Sequence, residues 1–310
     1  MIFDPISFEY GTFLKFSASV PLKFGAMLTE ARGRWMATYD RDWRSLSLGL
    51  HYVKERTSKA LSQLGLIHAK GVKFQQVTQT LTERDLERQL IDRFIYAAFE
   101  EWQAGLIQTN RINELNFTGQ DALSTLPKQV IYATMHVDSP MLGLVQLGRW
   151  GIPLCALSSN VVEDPRVHPA ITRFFASKYL HMATHWHGGR CMHKESEMGA
   201  FVRAAKEGFS LAVFCDVPGQ MQNGKGLTVP FLGKPRLMAP VALRLAERLD
   251  LPVVGMYTRR LSYKDYRIEL STPCYPTNDR SWISPIYEFW SGKILENIPA
   301  WWASDLLADM

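Results

Sequence analysis

Residues 196–257 read SEMGAFVRAAKEGFSLAVFCDVPGQMQNGKGLTVPFLGKPRLMAPVALRLAERLDLPVVGMY, and this stretch decides the fold class. Ser196–Glu207 has helical spacing and runs into Gly208, the residue type that closes helices in the left-handed conformation. Leu211–Cys215 is an apolar run too short for a buried helix and reads as a buried strand. Pro240 fits the first turn of a second helix, which continues through Leu249 before Pro252 stops it. Val253–Tyr257 is the next apolar run. Upstream, Val130–Thr134 and Leu154–Leu157 have the same character. Strands alternating with helices predict an α/β domain with a largely parallel central sheet flanked by helices.

Toward the N-terminus, Thr82 and Asp85 resemble a capping box. Leu86, Leu90, Ile91, Phe94, Ile95, Ala98 and Trp102 then recur at helical spacing, so an N-terminal helical portion precedes the sheet. The first fifty residues carry Phe3, Phe8, Tyr10, Phe13 and Phe16 among small polar groups without a strong period. They are expected to form an extension, residues 1–50, packed on or near the core or facing a membrane or partner. Residues 51–310 then make one α/β domain, with no internal repeat or low-complexity linker.

Composition narrows the function classes. Of 310 residues, 46% are hydrophobic and 21% charged, which excludes disordered, collagen-like and coiled-coil chains. The longest stretch without Lys, Arg, Asp or Glu runs from Trp150 to Val162, too short for a spanning helix. Asp4, Glu9, Lys15, Lys23 and Glu30 interrupt any signal-peptide core, so a cytoplasmic location is expected. The net charge of +5 comes without a run of five or six basic residues, which argues against a nucleic-acid partner. A mild positive bias suits an anionic membrane surface, an acyl carrier protein or a phosphate-bearing ligand. Cys155, Cys191, Cys215 and Cys274 form no CxxC pair and read as reduced, buried thiols.

Three segments can carry chemistry. In the first, His136 follows the strand Val130–Thr134, at the edge where α/β folds place ligands. Its imidazole can take a proton from a hydroxyl or amine near neutral pH. Asp138 is placed to orient it, and Ser139 is a candidate nucleophile or substrate contact. In the second, the strand Leu211–Cys215 ends in Asp216 and a turn at Gly219-Gln220. Beyond it, glycine turns flank the short strand around Pro230, Phe231 and Gly233, as a hairpin-like loop at one sheet edge. The third is the cluster His181, His185, His187, Cys191 and His193, whose alternate positions would share one face of an extended segment. Gly188-Gly189 interrupts it, and the spacing fits no tight-turn zinc module.

The second segment, continued through LPVVGMYTRR, resembles the second half of the lipid A biosynthesis late acyltransferases, members of the lysophospholipid acyltransferase superfamily. VIYATMH is similar to the strand that ends in that family's catalytic histidine. The tail Asn297-Ile-Pro299-Ala-Trp301-Trp302 resembles its closing P-x-x-W segment. The similarity covers roughly residues 50 to 305. It implies an acyltransferase-like fold and transfer of an acyl group from an acyl carrier protein or coenzyme A thioester to a hydroxyl or amine of a lipid or small-molecule acceptor. His136 would be the general base, with no metal or redox cofactor. Arg190 and Asp216 match the family's site arginine and its strand-end aspartate. Gly219, Gln220, Pro230, Phe231 and Gly233 would shape the acceptor cleft or acyl tunnel.

The family's His-x4-Asp/Glu acid is missing, because Met141 stands at that position. Either Asp138 has taken over the orienting role, or the dyad is degraded. Arg190 either binds phosphate and developing negative charge or forms a structural ion pair with Asp216. The family's N-terminal hydrophobic anchor is also absent, so peripheral membrane contact is the most that is expected. The alternative to an enzyme is a non-catalytic acyl-chain or carrier-protein binding protein that kept the fold.

Overall fold

The structure, a computed structural model, describes residues 4–49, 52–71, 82–159, 161–219 and 226–310. The chain runs α1 (Pro5–Phe8), a π turn (Glu9–Phe13), α2 (Leu14–Ser19), α3 (Leu22–Tyr39), α4 (Trp43–Leu48), α5 (Tyr52–Gly71) and α6 (Glu83–Gln108). Strands and helices then alternate: β1 (Asn116–Thr118), β2 (Ile131–Thr134), α7 (Pro140–Arg149), β3 (Leu154–Ser158), α8 (Pro169–Ala183), β4 (Cys191–His193), α9 (Met198–Lys206) and β5 (Ser210–Phe214). After the hairpin β6 (Leu227–Phe231) and β7 (Lys234–Met238) come α10 (Val241–Leu249), β8 (Val253–Arg260), β9 (Asp265–Leu270) and α11 (Ser284–Glu296).

Seven strands form one sheet in the order β1-β9-β8-β2-β5-β3-β4. Pairing is parallel throughout except between β8 and β9. The α/β class and the mostly parallel sheet are therefore as the alternating pattern predicts. Residues of β2 are buried on both faces, and so are the first four of β3 and of β5, because helices cover the sheet on either side. From β2 the chain moves toward β3. From β5, the neighbour of β2, it crosses to β8 on the other side. The C-terminal ends of β2 and β5 thus release their chains in opposite directions, which opens a crevice there.

Local signals work as chemistry requires. Thr82 and Asp85 close a reciprocal capping box on α6. Asp250 ends α10 in the left-handed conformation, and β8 starts directly after Pro252. The loop around Pro230 and Phe231 forms a hairpin, as expected, in which Lys234–Met238 pairs back on Leu227–Phe231 to make a two-stranded sheet of its own.

The described residues of the first fifty are not irregular. Residues 4–49 carry α1–α4, and α3 lies against α6 so closely that a Cβ on Gly33 would sit 2.6 Å from the Cα of Ile95. Their period is obscured because α3 is apolar on two faces. Leu22, Ala26, Met36 and Ala37 are buried, while Phe24, Met27, Trp35 and Tyr39 are exposed. A stripe on each side cancels the one-sided pattern by which amphipathic helices are read.

Two buried charge networks fasten this portion. The π turn brings Glu9 inward to Arg32 at 2.7 Å, and Arg32 also meets Glu101 of α6 at 2.5 Å. Tyr10 donates its hydroxyl to Glu101. Burial pushes the Glu101 carboxyl up to about 7, against the pull of Arg32. A carboxyl with a raised folded-state pKa binds its proton more tightly in the native than in the unfolded protein. Its stabilising contribution is complete below the unfolded value near 4.5 and is lost as pH rises to about 7. Glu101→Gln is expected to flatten the fall in stability between those limits, measured by urea unfolding at stepped pH. An unchanged slope would remove Glu101 as its source.

Candidate active site

β2 and β5 pair in register from Ile131↔Leu211 to Thr134↔Phe214, so the residues just beyond their ends lie side by side. His136 and Asp216 are those residues. His136 Nδ1 lies 2.9 Å from Asp216 Oδ1, and the His136 backbone N–H donates to Asp216 Oδ2 at 2.9 Å. The indole of Trp301 donates to the same Oδ2 at 2.9 Å. Asp216 is fully buried, whereas 24% of the His136 side chain remains exposed. Burial alone would raise the Asp216 pKa, but the charge and hydrogen bonds of His136, with the Trp301 indole, hold it below the usual carboxylate range. The carboxylate therefore fixes the proton on Nδ1 and leaves Nε2 as the basic nitrogen.

Aromatic rings set the direction of the imidazole. Phe214 stacks on it with centroids 4.2 Å apart, and Trp302 meets it edge-on at 4.9 Å. Trp301 and Trp302 belong to a C-terminal strap laid across the strand ends. Trp301 bridges to Val137, and the Asp138 N–H donates to the Ala300 carbonyl at 2.8 Å.

The structure assigns Asp138 a different place from the one expected. Its carboxylate accepts the Ser139 hydroxyl and the Arg260 N–H, both at 2.9 Å, and does not hold His136. The reason is backbone conformation. Asp138 is left-handed, with φ of 57°, which turns its side chain toward β8. Burial raises its pKa, opposed by Arg260. Asp138 locks the loop after His136 to the strap and to β8, and Trp302 Nε1 donates to its carbonyl at 3.2 Å. Ser139 is fully buried and accepts from Gln103 Nε2 at 2.8 Å, so its hydroxyl serves this network and is no exposed nucleophile.

Arg190 also departs from expectation. It immediately precedes β4, at the N-terminal end of a strand three places from β2, whereas His136 lies past the C-terminal end of β2. Its side chain is 56% exposed and pairs with Glu197 at 3.1 Å, so no Arg190–Asp216 ion pair exists. Gly219 is buried against Leu237 and Gly226. Gln220 lies outside the described residues. Pro230 is exposed on the hairpin, and Gly233 sits in its turn with φ of 72°. Phe231 is buried edge-on against Trp301 with centroids 5.8 Å apart, so the hairpin supports the ring that anchors Asp216.

The histidine cluster is dispersed. His181 ends α8 and bonds the Ser177 carbonyl, His187 bonds the Gly148 carbonyl, and Cys191 and His193 lie on β4. Among the described residues no three His, Cys, Asp or Glu side chains converge in a geometry that could hold a metal ion.

Trp301 escaped the sequence reading as a site residue, since nothing in its neighbours indicates a partner 85 positions away. Trp301→Phe keeps the ring contacts but deletes one of three hydrogen bonds to Asp216. Turnover that depends on His136 is expected to fall about tenfold because the imidazole loses orientation. An unaltered rate would make the indole a packing element only. Compared with known families and curated proteins, the chain matches no family model and no curated protein.

Proposed function

We propose that the protein is an acyltransferase of the lysophospholipid acyltransferase type, working from a thioester donor through a His136–Asp216 dyad. The observation that carries this reading is the pairing of His136 Nδ1 with a buried, ionised Asp216 at the C-terminal edge of a parallel sheet. It supplies a carboxylate for the histidine from β5 in place of the acid missing at Met141, while the segment that includes it resembles the late acyltransferases.

In this mechanism Nε2 of His136 takes the proton from the acceptor hydroxyl or amine as its oxygen or nitrogen attacks the thioester carbonyl. The tetrahedral intermediate then collapses, the carbon–sulfur bond breaks, and the proton passes from Nε2 to the departing thiolate. Asp216 stabilises the imidazolium between the two transfers. The donor is an acyl carrier protein or coenzyme A thioester, and the acceptor a lipid or small molecule. Neither step calls on a metal or redox cofactor.

Thiol release is the test, followed with acyl-carrier and acyl-coenzyme A thioesters against hydroxyl and amine acceptors. Acceptor-dependent release is expected. Release without any acceptor would make the protein a thioesterase. Saturable binding of the donor with no release would instead favour the non-catalytic carrier-binding reading, which Met141 and the remote Arg190 support.

A further inference from the structure

Nine large hydrophobic side chains are exposed among the described residues, and six of them fall within α1–α3: Phe8, Phe16, Phe24, Met27, Trp35 and Tyr39. This concentration is not the scatter expected of an ordinary surface. On α3, Phe24, Leu28, Ala31, Trp35 and Tyr39 follow one another at three- and four-residue steps, and Met27 stands three residues after Phe24 and four before Ala31, so they form a single stripe along the outward face. The opposite face of the same helix is buried against α6 through Gly33 and its neighbours. Between the α1 segment and α3 runs an open groove of about 350 Å³, walled by Pro5, Phe8, Phe13, Leu28, Ala31 and Trp35.

We propose that this N-terminal helical face binds in the plane of an anionic lipid bilayer, with α3 lying on the headgroup boundary. Charge selects the bilayer over other occupants. Lys23 flanks the stripe on α3 and Lys15 stands next to the exposed Phe16 on α2, both lysines exposed and neither in an ion pair among the described residues. Lys23 also lines a second, shallow depression with Arg111, Lys264 and Glu114, which carries three positive charges against one negative. A basic margin beside an aromatic stripe matches the anionic headgroups above an acyl-chain region. Trp35 and Tyr39 are the residue types that settle at that boundary. Apart from Glu9 and Arg32, which pair with each other, the lining of the groove is apolar and suits a lipid chain. No helix among the described residues is long and apolar enough to cross a membrane, so this is attachment along the surface.

Vesicle flotation with purified protein tests the proposal without reference to turnover. Phosphatidylcholine vesicles with phosphatidylglycerol should carry the protein, and pure phosphatidylcholine should carry less. Met27→Glu with Trp35→Glu should weaken binding at least about tenfold, because two acidic groups would enter the headgroup layer. Both positions are at least 40% exposed, so the circular dichroism spectrum and melting temperature should hold. Lys23→Glu should remove only the increment due to phosphatidylglycerol. Failure of the wild type to float with either vesicle overturns the proposal. So does a wild-type dimer that the double variant dissociates, which would assign the face to a second copy of the chain.

Discussion

Asp216→Asn is expected to lower thioester turnover by about 10²–10⁴-fold, as much as His136→Ala, whereas Asp138→Asn should cost less than about tenfold. The difference follows from which hydrogen bonds each carboxylate accepts. Asp216 Oδ2 receives two fixed donors, the His136 backbone N–H and the Trp301 indole. An asparagine there must aim its single oxygen at those two donors. Its NH₂ then faces His136 Nδ1, which has to accept instead of donate. The proton moves to Nε2, and the nitrogen that should act as a base no longer has a lone pair. The fold survives, because the shape persists and all three hydrogen bonds keep a partner, the one to Nδ1 with its direction reversed.

Asp138→Asn has the opposite signature. Its partners are Ser139 and the Arg260 backbone, so the dyad stays intact while a buried polar network loses a charge-assisted contact. Stability should drop by about 1–3 kcal/mol. Turnover measured beside urea unfolding for the two variants separates them. Equal loss of turnover in both, with Asp138→Asn fully stable, would return the orienting role to Asp138.

These two aspartates also mark what the sequence could disclose. His136 at a strand end was legible, because a short apolar run followed by a polar turn locates the edge of a parallel sheet. Asp216 was legible as a strand-end acid by the same logic. What joined them was not, since adjacency of β2 and β5 depends on strand order, and β3 and β4 intervene in the chain. Asp138 misled because two positions of separation suggest proximity, yet a left-handed φ reverses its direction. Arg190 misled because the motif match carried no information about which end of β4 it occupies. The exposed stripe of α3 concealed a helix for a different reason, by making both faces apolar.

Asp305→Ala is expected to destabilise the protein by about 3–5 kcal/mol, a large share of the net stability of a single domain. Arg44 makes two hydrogen bonds to Asp305, at 2.8 and 2.9 Å, and also holds Asp42. Arg93, on α6 and fully buried, reaches Asp42 at 3.0 Å and Asp305 at 3.6 Å. Two cations and two anions balance in a site excluded from water, and burial pulls the Arg93 pKa down while its acids resist. Removing Asp305 leaves two buried guanidinium groups facing one carboxylate, so the cost is that of an uncompensated charge and not of one lost contact. Arg34→Ala, which deletes an exposed pair with Glu30, should be neutral by comparison. The network joins residue 42 to residue 305 through α6, so the loss should appear as one shifted unfolding transition with an unchanged denaturant slope. A first transition confined to the N-terminal helices, with the sheet melting as in wild type, would show that residues 1–50 fold as a separate unit.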